Sequence, residues 1–91
     1  SASVLKEAEL RLKLGSAMQD KLVLTGMFFV KNAPVLESGN MDMDGVPVRY
    51  TMRSETLSRE EGIYKLSISA SWKQGEKERR MSYDSLLLRS G

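Results

Sequence analysis

The chain has no cysteine and no histidine, and only two prolines and one tryptophan. Without a thiol or an imidazole there is no cysteine nucleophile, no Ser-His-Asp relay and no ordinary zinc site. Disulfides are excluded on the same ground, and a chain without cysteine suits a reducing or an oxidising compartment equally. Carboxylate, lysine and tyrosine chemistry remain. The paired acids Glu60-Glu61 and Asp42/Asp44 fall in expected loops, with no second acid placed to complete an acid–base couple. No catalytic, cofactor-binding or metal-ligating residue is therefore predicted. No apolar run approaches the ~20 residues that span a bilayer. The chain begins Ser1-Ala2-Ser3, without Met, so a targeting or membrane segment upstream of it is compatible with the sequence.

The 91 residues make one small domain. A chain of this size buries only about 60–65% of its unfolded surface, and such domains often lean on disulfides, metals or partners. With cysteine and histidine missing, packing against a partner gains weight, although many domains of this length fold alone. The formal charge is +2, with five Lys/Arg against six Asp/Glu in residues 1–45 and nine against six in residues 46–91. Acidic and basic residues interleave: Lys77, Arg79 and Arg80 stand beside Glu76 and Glu78. No nucleic-acid partner is predicted from that pattern.

From Tyr64 to Trp72 every second residue is apolar (Tyr64, Leu66, Ile68, Ala70, Trp72), and Lys65, Ser67, Ser69 and Ser71 lie between them. That period predicts a strand with one face on a core and one hydroxyl-rich face in water. Lys73-Gln74-Gly75-Glu76 reads as a hairpin tip, with Lys77–Tyr83 returning as the partner strand. Arg79, Met81 and Tyr83 share a face, which puts Arg79 at an exposed end, and Leu86-Leu87-Leu88 either extends the strand or caps the core. Val46, Val48, Tyr50 and Met52 alternate in the same way, with Pro47 among the first rungs. Ser54–Gly62 reads as a polar connection.

The N-terminal third is different. From Val4 to about Leu24 there is no proline and one glycine, Gly15, among good helix formers. Ser1 or Ser3 is available as N-cap, Glu7 and Arg11 form an i,i+4 pair, and Gly26 is placed to end the helix. At about 100° per residue Lys6, Glu9, Lys13, Ser16 and Asp20 form a narrow polar stripe. The remaining arc is broadly apolar, with Val4, Leu5, Ala8 and Leu12 on one flank and Leu10, Leu14 and Ala17 on the other. Met18 and Leu22 lie between. An arc this wide fits a helix cradled by its own domain, or one whose second flank meets other subunits. Gly15-Ser16 is a candidate bend. Met27–Val30 reads as a buried strand or a loop that plugs the core, and Val35–Asn40 as irregular or a short edge strand. Asn40-x-Asp42-x-Asp44-Gly45 imitates the start of a calcium loop, but its twelfth position is Thr51 in place of a bidentate Glu, so an Asp-Gly turn is the better reading. Met27, Met52 and Met81 read as core, and Met41 and Met43 as turn residues open to a contact. The fold class is α+β, a long helix followed by a small antiparallel sheet.

Ala8-Glu9-Leu10-Arg11-Leu12, Gly45-Val46-Pro47-Val48-Arg49-Tyr50, Leu66–Gly75 with Arg80-Met81-Ser82-Tyr83, and the tail Leu86-Leu87-Leu88-Arg89 together resemble the periplasmic part of minor pseudopilins of type II secretion, the pseudopilin I type, or a related minor pilin of type IV pili. The family's basic leader and apolar N-terminal helix are not in this sequence. The resemblance implies a pilin-like fold and a non-enzymatic pseudopilus-tip subunit on the periplasmic face of the bacterial inner membrane. Its implied partners are other minor pseudopilins and, through the absent helix, that membrane. Leu5, Ala8, Leu10, Leu12, Leu14 and Ala17 are then the expected partner-binding residues. The alternative is a standalone binding module that uses Trp72 and Tyr83 on the sheet for a peptide or single-stranded nucleic acid.

Overall fold

A computed structural model describes residues 2–30 and 33–89. It is α+β: a 26-residue helix, α1 (Ala2–Met27), lies on one face of an antiparallel sheet made of β1 (Leu36–Met43), β2 (Val46–Ser58), β3 (Ile63–Gln74) and β4 (Lys77–Leu88). The strand order is β1-β2-β3-β4, a meander in which β1 and β4 are the edges. The molecule is long and narrow, 52 × 18 × 18 Å, because the helix alone spans about 39 Å and the central strands run 12 and 13 residues.

Register follows the alternation in the sequence. Tyr50 faces Ala70, Met52 faces Ile68, and Ala70 and Ile68 in turn face Met81 and Tyr83. These residues share the inner face. All five apolar residues of Tyr64–Trp72 are buried there, with Val48 and Met52 beside them and Leu14, Met18 and Leu22 descending from the helix. Each buried aliphatic side chain contributes about 1.5–3 kcal/mol of transfer free energy, so the core is this one helix stripe pressed on the middle strands.

Three turns set the path. The β1–β2 turn is Asp44-Gly45, with φ of 53° and 87°, the paired positive values of a two-residue hairpin that suit Asp-Gly. The Asp42 carboxylate accepts from the Gly45 amide at 2.6 Å. Gly75 at φ 64° turns β3 into β4. Gly62 at φ 69° precedes β3, and its carbonyl accepts from the Arg89 amide at 2.8 Å.

Several expectations change. The sheet has four strands, since Leu36–Met43 is a full edge strand and β2 continues through Ser54–Ser58, with a register shift between Thr56 and Ser58. The helix runs unbroken past Gly15-Ser16 and ends at Met27, so Gly26 lies in its last turn, against Leu87, with the Arg89 guanidinium donating to its carbonyl. Of the N-cap candidates, Ser1 lies outside the described residues and Ser3 is already helical. Phe29 is the plug, its ring centred 5.0 Å from that of Tyr64 and tilted 53° to it, while Met27, Phe28 and Val30 are exposed. Lys31 and Asn32 lie outside the described residues. Met41 and Met43 pack against the core from β1. Among the described residues no acidic group is arranged to hold a metal, Asp42 and Asp44 included.

Candidate partner-docking face

The six partner-binding candidates divide according to where the helix presses on the sheet. Leu14 is fully buried, and Leu10 and Ala17 are half-buried. Leu14 and Leu10 belong to the domain's own interior. As a partner-binding residue Leu14 is corrected: the sheet occupies it completely. Leu5 and Leu12 are 66% and 76% exposed, and Ala8 is exposed with them. This second flank faces solvent.

Its position relative to the sheet follows from helical geometry. A Cβ added at Gly15 would meet Tyr83 and Met81, and one at Gly26 would meet Leu87, so that side of the helix lies over β4. On the opposite side Lys21 reaches Glu37 of β1 at 2.8 Å and lies 5.0 Å from the Tyr50 ring centre. Ala8 is two turns from Gly15 and Leu12 three residues from it, so both are on the β4 side. The exposed flank is therefore on the β4 side of the helix at Ala8 and turns toward solvent at Leu5 and Leu12, above the open edge of the sheet. β4 offers 12 residues of backbone pairing there, and no strand among the described residues covers its outer edge. An apolar helix flank beside an unpaired strand edge can take a partner's side chains and backbone together.

Charged groups hold the helix in this orientation. The Arg11 guanidinium sits 5.1 Å from the centre of the Trp72 ring and donates to the Glu7 carboxylate at 3.3 Å. Arg79 of β4 reaches the same carboxylate at 3.6 Å and donates to the Gln74 amide oxygen at 3.0 Å. Desolvation pulls the Glu7 carboxyl upward, but hydrogen bonds from Gln74 and Arg11 and the charges of Arg79 and Arg11 outweigh it and hold the group below its ordinary value. Arg79 is thus half-buried and paired, in contrast to the exposed end expected for it. Lys13 is bonded to Asp44 at 2.5 Å, and that bond raises the ammonium pKa. Between this end of the helix and the β1–β2 turn opens a cleft of about 440 Å³, with Leu10, Met43, Val46 and Trp72 among its lining residues.

Trp72 and Tyr83 do not form an open platform. Trp72 is 3% exposed under the helix, and Tyr83 is half-buried against Gly15. Arg11 lies over the Trp72 ring, which borders the cleft with too little exposed surface to serve as a stacking face.

Fold and surface together define a small α+β domain, one helix on an antiparallel meander, with an apolar helix flank open beside a sheet edge. The chain matches no family model, no curated protein and no solved structure.

Proposed function

We propose that this domain is a non-enzymatic assembly subunit that docks neighbouring subunits through Leu5, Ala8 and Leu12 and the adjacent edge of β4. The sequence resemblance supports reading it as a minor pseudopilin of the type II secretion tip, or a related minor pilin, and that reading includes an inner-membrane helix encoded upstream. The observation that carries the reading is the split of the apolar arc: Leu14, Met18 and Leu22 fill the core while Leu5 and Leu12 remain 66% and 76% exposed above an open strand edge. Exposed leucines in a row cost solubility unless a partner covers them.

Co-expression with a neighbouring minor pseudopilin tests this. Leu12→Asp is expected to leave the fold intact and to lose the heteromer, whereas Leu14→Asp loses the fold. A Leu12→Asp protein that still assembles would refute the docking face. The identity of the machine is tested separately by the encoded sequence upstream of Ser1. A basic leader ending in Gly, then about 20 apolar residues with an early Glu, is expected; a soluble domain there overturns the pseudopilin assignment.

A further inference from the structure

The sheet face turned away from the helix carries a polar array that core packing does not explain. In register across the four strands, Ser38, Thr51, Ser69 and Ser82 form one row, and Asn40, Arg49, Ser71 and Arg80 the next. Strands lie about 4.8 Å apart, so Arg49 and Arg80 flank Ser71 with their Cα atoms about 10 Å from each other. Arg49 and Arg80 both line one shallow depression of about 540 Å³ with Ser38, Thr51, Ser69 and Ser71, of which the Ser38 and Thr51 hydroxyls bond each other at 3.2 Å.

Two carboxylates of this face are engaged elsewhere, and Glu78 lines the neighbouring depression that shares Asn40, Arg49 and Ser71. Glu55 is 3.4 Å from Lys65, Asp42 holds the Gly45 amide, and Glu78 stands directly opposite Lys73. Asp84 lies opposite Ser67, two rows from Arg80. No carboxylate lines the depression between Arg49 and Arg80. Arg49 and Arg80 have no ion pair or hydrogen bond among the described residues. Two unpaired cations on either side of a hydroxyl are a mutually repulsive arrangement that a bound anion relieves. Guanidinium forks match the geometry of tetrahedral oxoanions, and Ser and Thr hydroxyls supply further donors.

We propose that this face binds an oxoanion, a phosphate or sulfate group, held between Arg49 and Arg80 over Ser71. The site is independent of the helix flank and of the assembly role. Its affinity for a single group is on the order of millimolar, as expected for exposed ion pairs.

The test is an amide-resolved NMR titration of the folded 91-residue chain with inorganic phosphate, against chloride at matched ionic strength. Saturable shifts are expected at Thr51, Ser69, Ser71, Arg49 and Arg80. Arg49→Gln and Arg80→Gln are each expected to weaken binding about tenfold, the loss of one charge-assisted fork. Shifts that do not saturate, that chloride reproduces, or that both variants retain would overturn the site. Flotation with phosphatidylglycerol vesicles, against phosphatidylcholine, then separates the sources. Arginine-dependent flotation assigns the group to a lipid headgroup. Its absence beside a positive titration assigns it to a soluble phosphoester.

Discussion

Gly15 of α1 sits against the phenol oxygen of Tyr83 on β4, where a methyl group at position 15 would lie 2.6 Å from that oxygen. The glycine is therefore a spacing device: it lets the helix approach the edge strand, at a cost of about 1 kcal/mol in helix propensity relative to alanine. The Tyr83 hydroxyl has no hydrogen-bond partner among the described residues, so its removal sacrifices little. Gly15→Ala alone is expected to gain nothing or to destabilise. In a Tyr83→Phe background the same substitution should stabilise by about 1 kcal/mol, because the next ring atom is 3.6 Å away. A double-mutant cycle by urea unfolding reads the coupling, and strict additivity would refute the contact.

Leu12 and Leu14 have the same side chain and opposite fates. Leu14→Ala opens a cavity under the helix and is expected to cost about 2–5 kcal/mol. Leu12→Ala, at a position 76% exposed, should fall within about 0.5 kcal/mol of the parent. Chemical denaturation of the isolated domain distinguishes them. Equal costs would mean that the helix sits on the sheet in a different rotation.

How much of this was legible depends on where each partner comes from. Tyr64–Trp72 was legible because both faces of a central strand are set by its own alternation. β1 was legible only as one of two readings, irregular or a short edge strand: Leu36–Met43 contains Glu37, Gly39 and Asn40, poor strand formers, and it becomes a full strand by pairing along β2, with Tyr50 packed against Gly39. Ser54–Ser58 looked like a loop because it runs beyond the end of β1 and pairs on one side only. The width of the apolar arc on α1 was visible, but periodicity alone does not say which part of an arc a sheet will cover. The burial of Arg79 was equally hidden, since its partner Glu7 is 72 residues away along the chain. Only the register places Arg49 and Arg80 around one serine.

Glu37 ties β1 to the helix. Its carboxylate pairs with Lys21 at 2.8 Å and accepts from the Tyr50 hydroxyl at 2.6 Å. The Lys21 hydrogen bond, then that of Tyr50, holds the Glu37 carboxyl below its ordinary value. A depressed carboxyl contributes stability that is present above its unfolded pKa and is lost as pH falls through the folded one. Stability should therefore decline as pH falls below about 4.5, the carboxyl's ordinary value, and Glu37→Gln should flatten that limb. Lys21 is shifted upward by the same hydrogen bond to Glu37, so its contribution is present below its unfolded pKa and lost as pH rises through the raised one. Both side chains are partly solvated, which limits the pair to about 0.5–1 kcal/mol and makes it weaken in high salt. Denaturation midpoints across pH at two salt concentrations check this, and an unchanged acid limb in Glu37→Gln would refute it.

Gly62 is the position where a single methyl group should do most harm to the sheet. Its φ of 69° lies in the left-handed region, which costs a residue with a Cβ roughly 1–2 kcal/mol. A Cβ there would also fall 1.9 Å from the Arg89 carbonyl oxygen. That obstacle is backbone, so no side-chain rotation relieves it. The close approach exists because the Arg89 amide donates to the Gly62 carbonyl, fastening the chain after β4 to the start of β3. Gly62→Ala must break that fastening or shift β3 against β4. The expected loss is about 3 kcal/mol or more, strain and hydrogen bond together. Gly45→Ala is the control: its φ is also positive, but nothing lies within 4 Å of the added methyl, so it should cost only the conformational share, about 1–2 kcal/mol. Thermal unfolding of the two variants side by side separates strain from collision, and equal losses would show that the Arg89 contact contributes nothing.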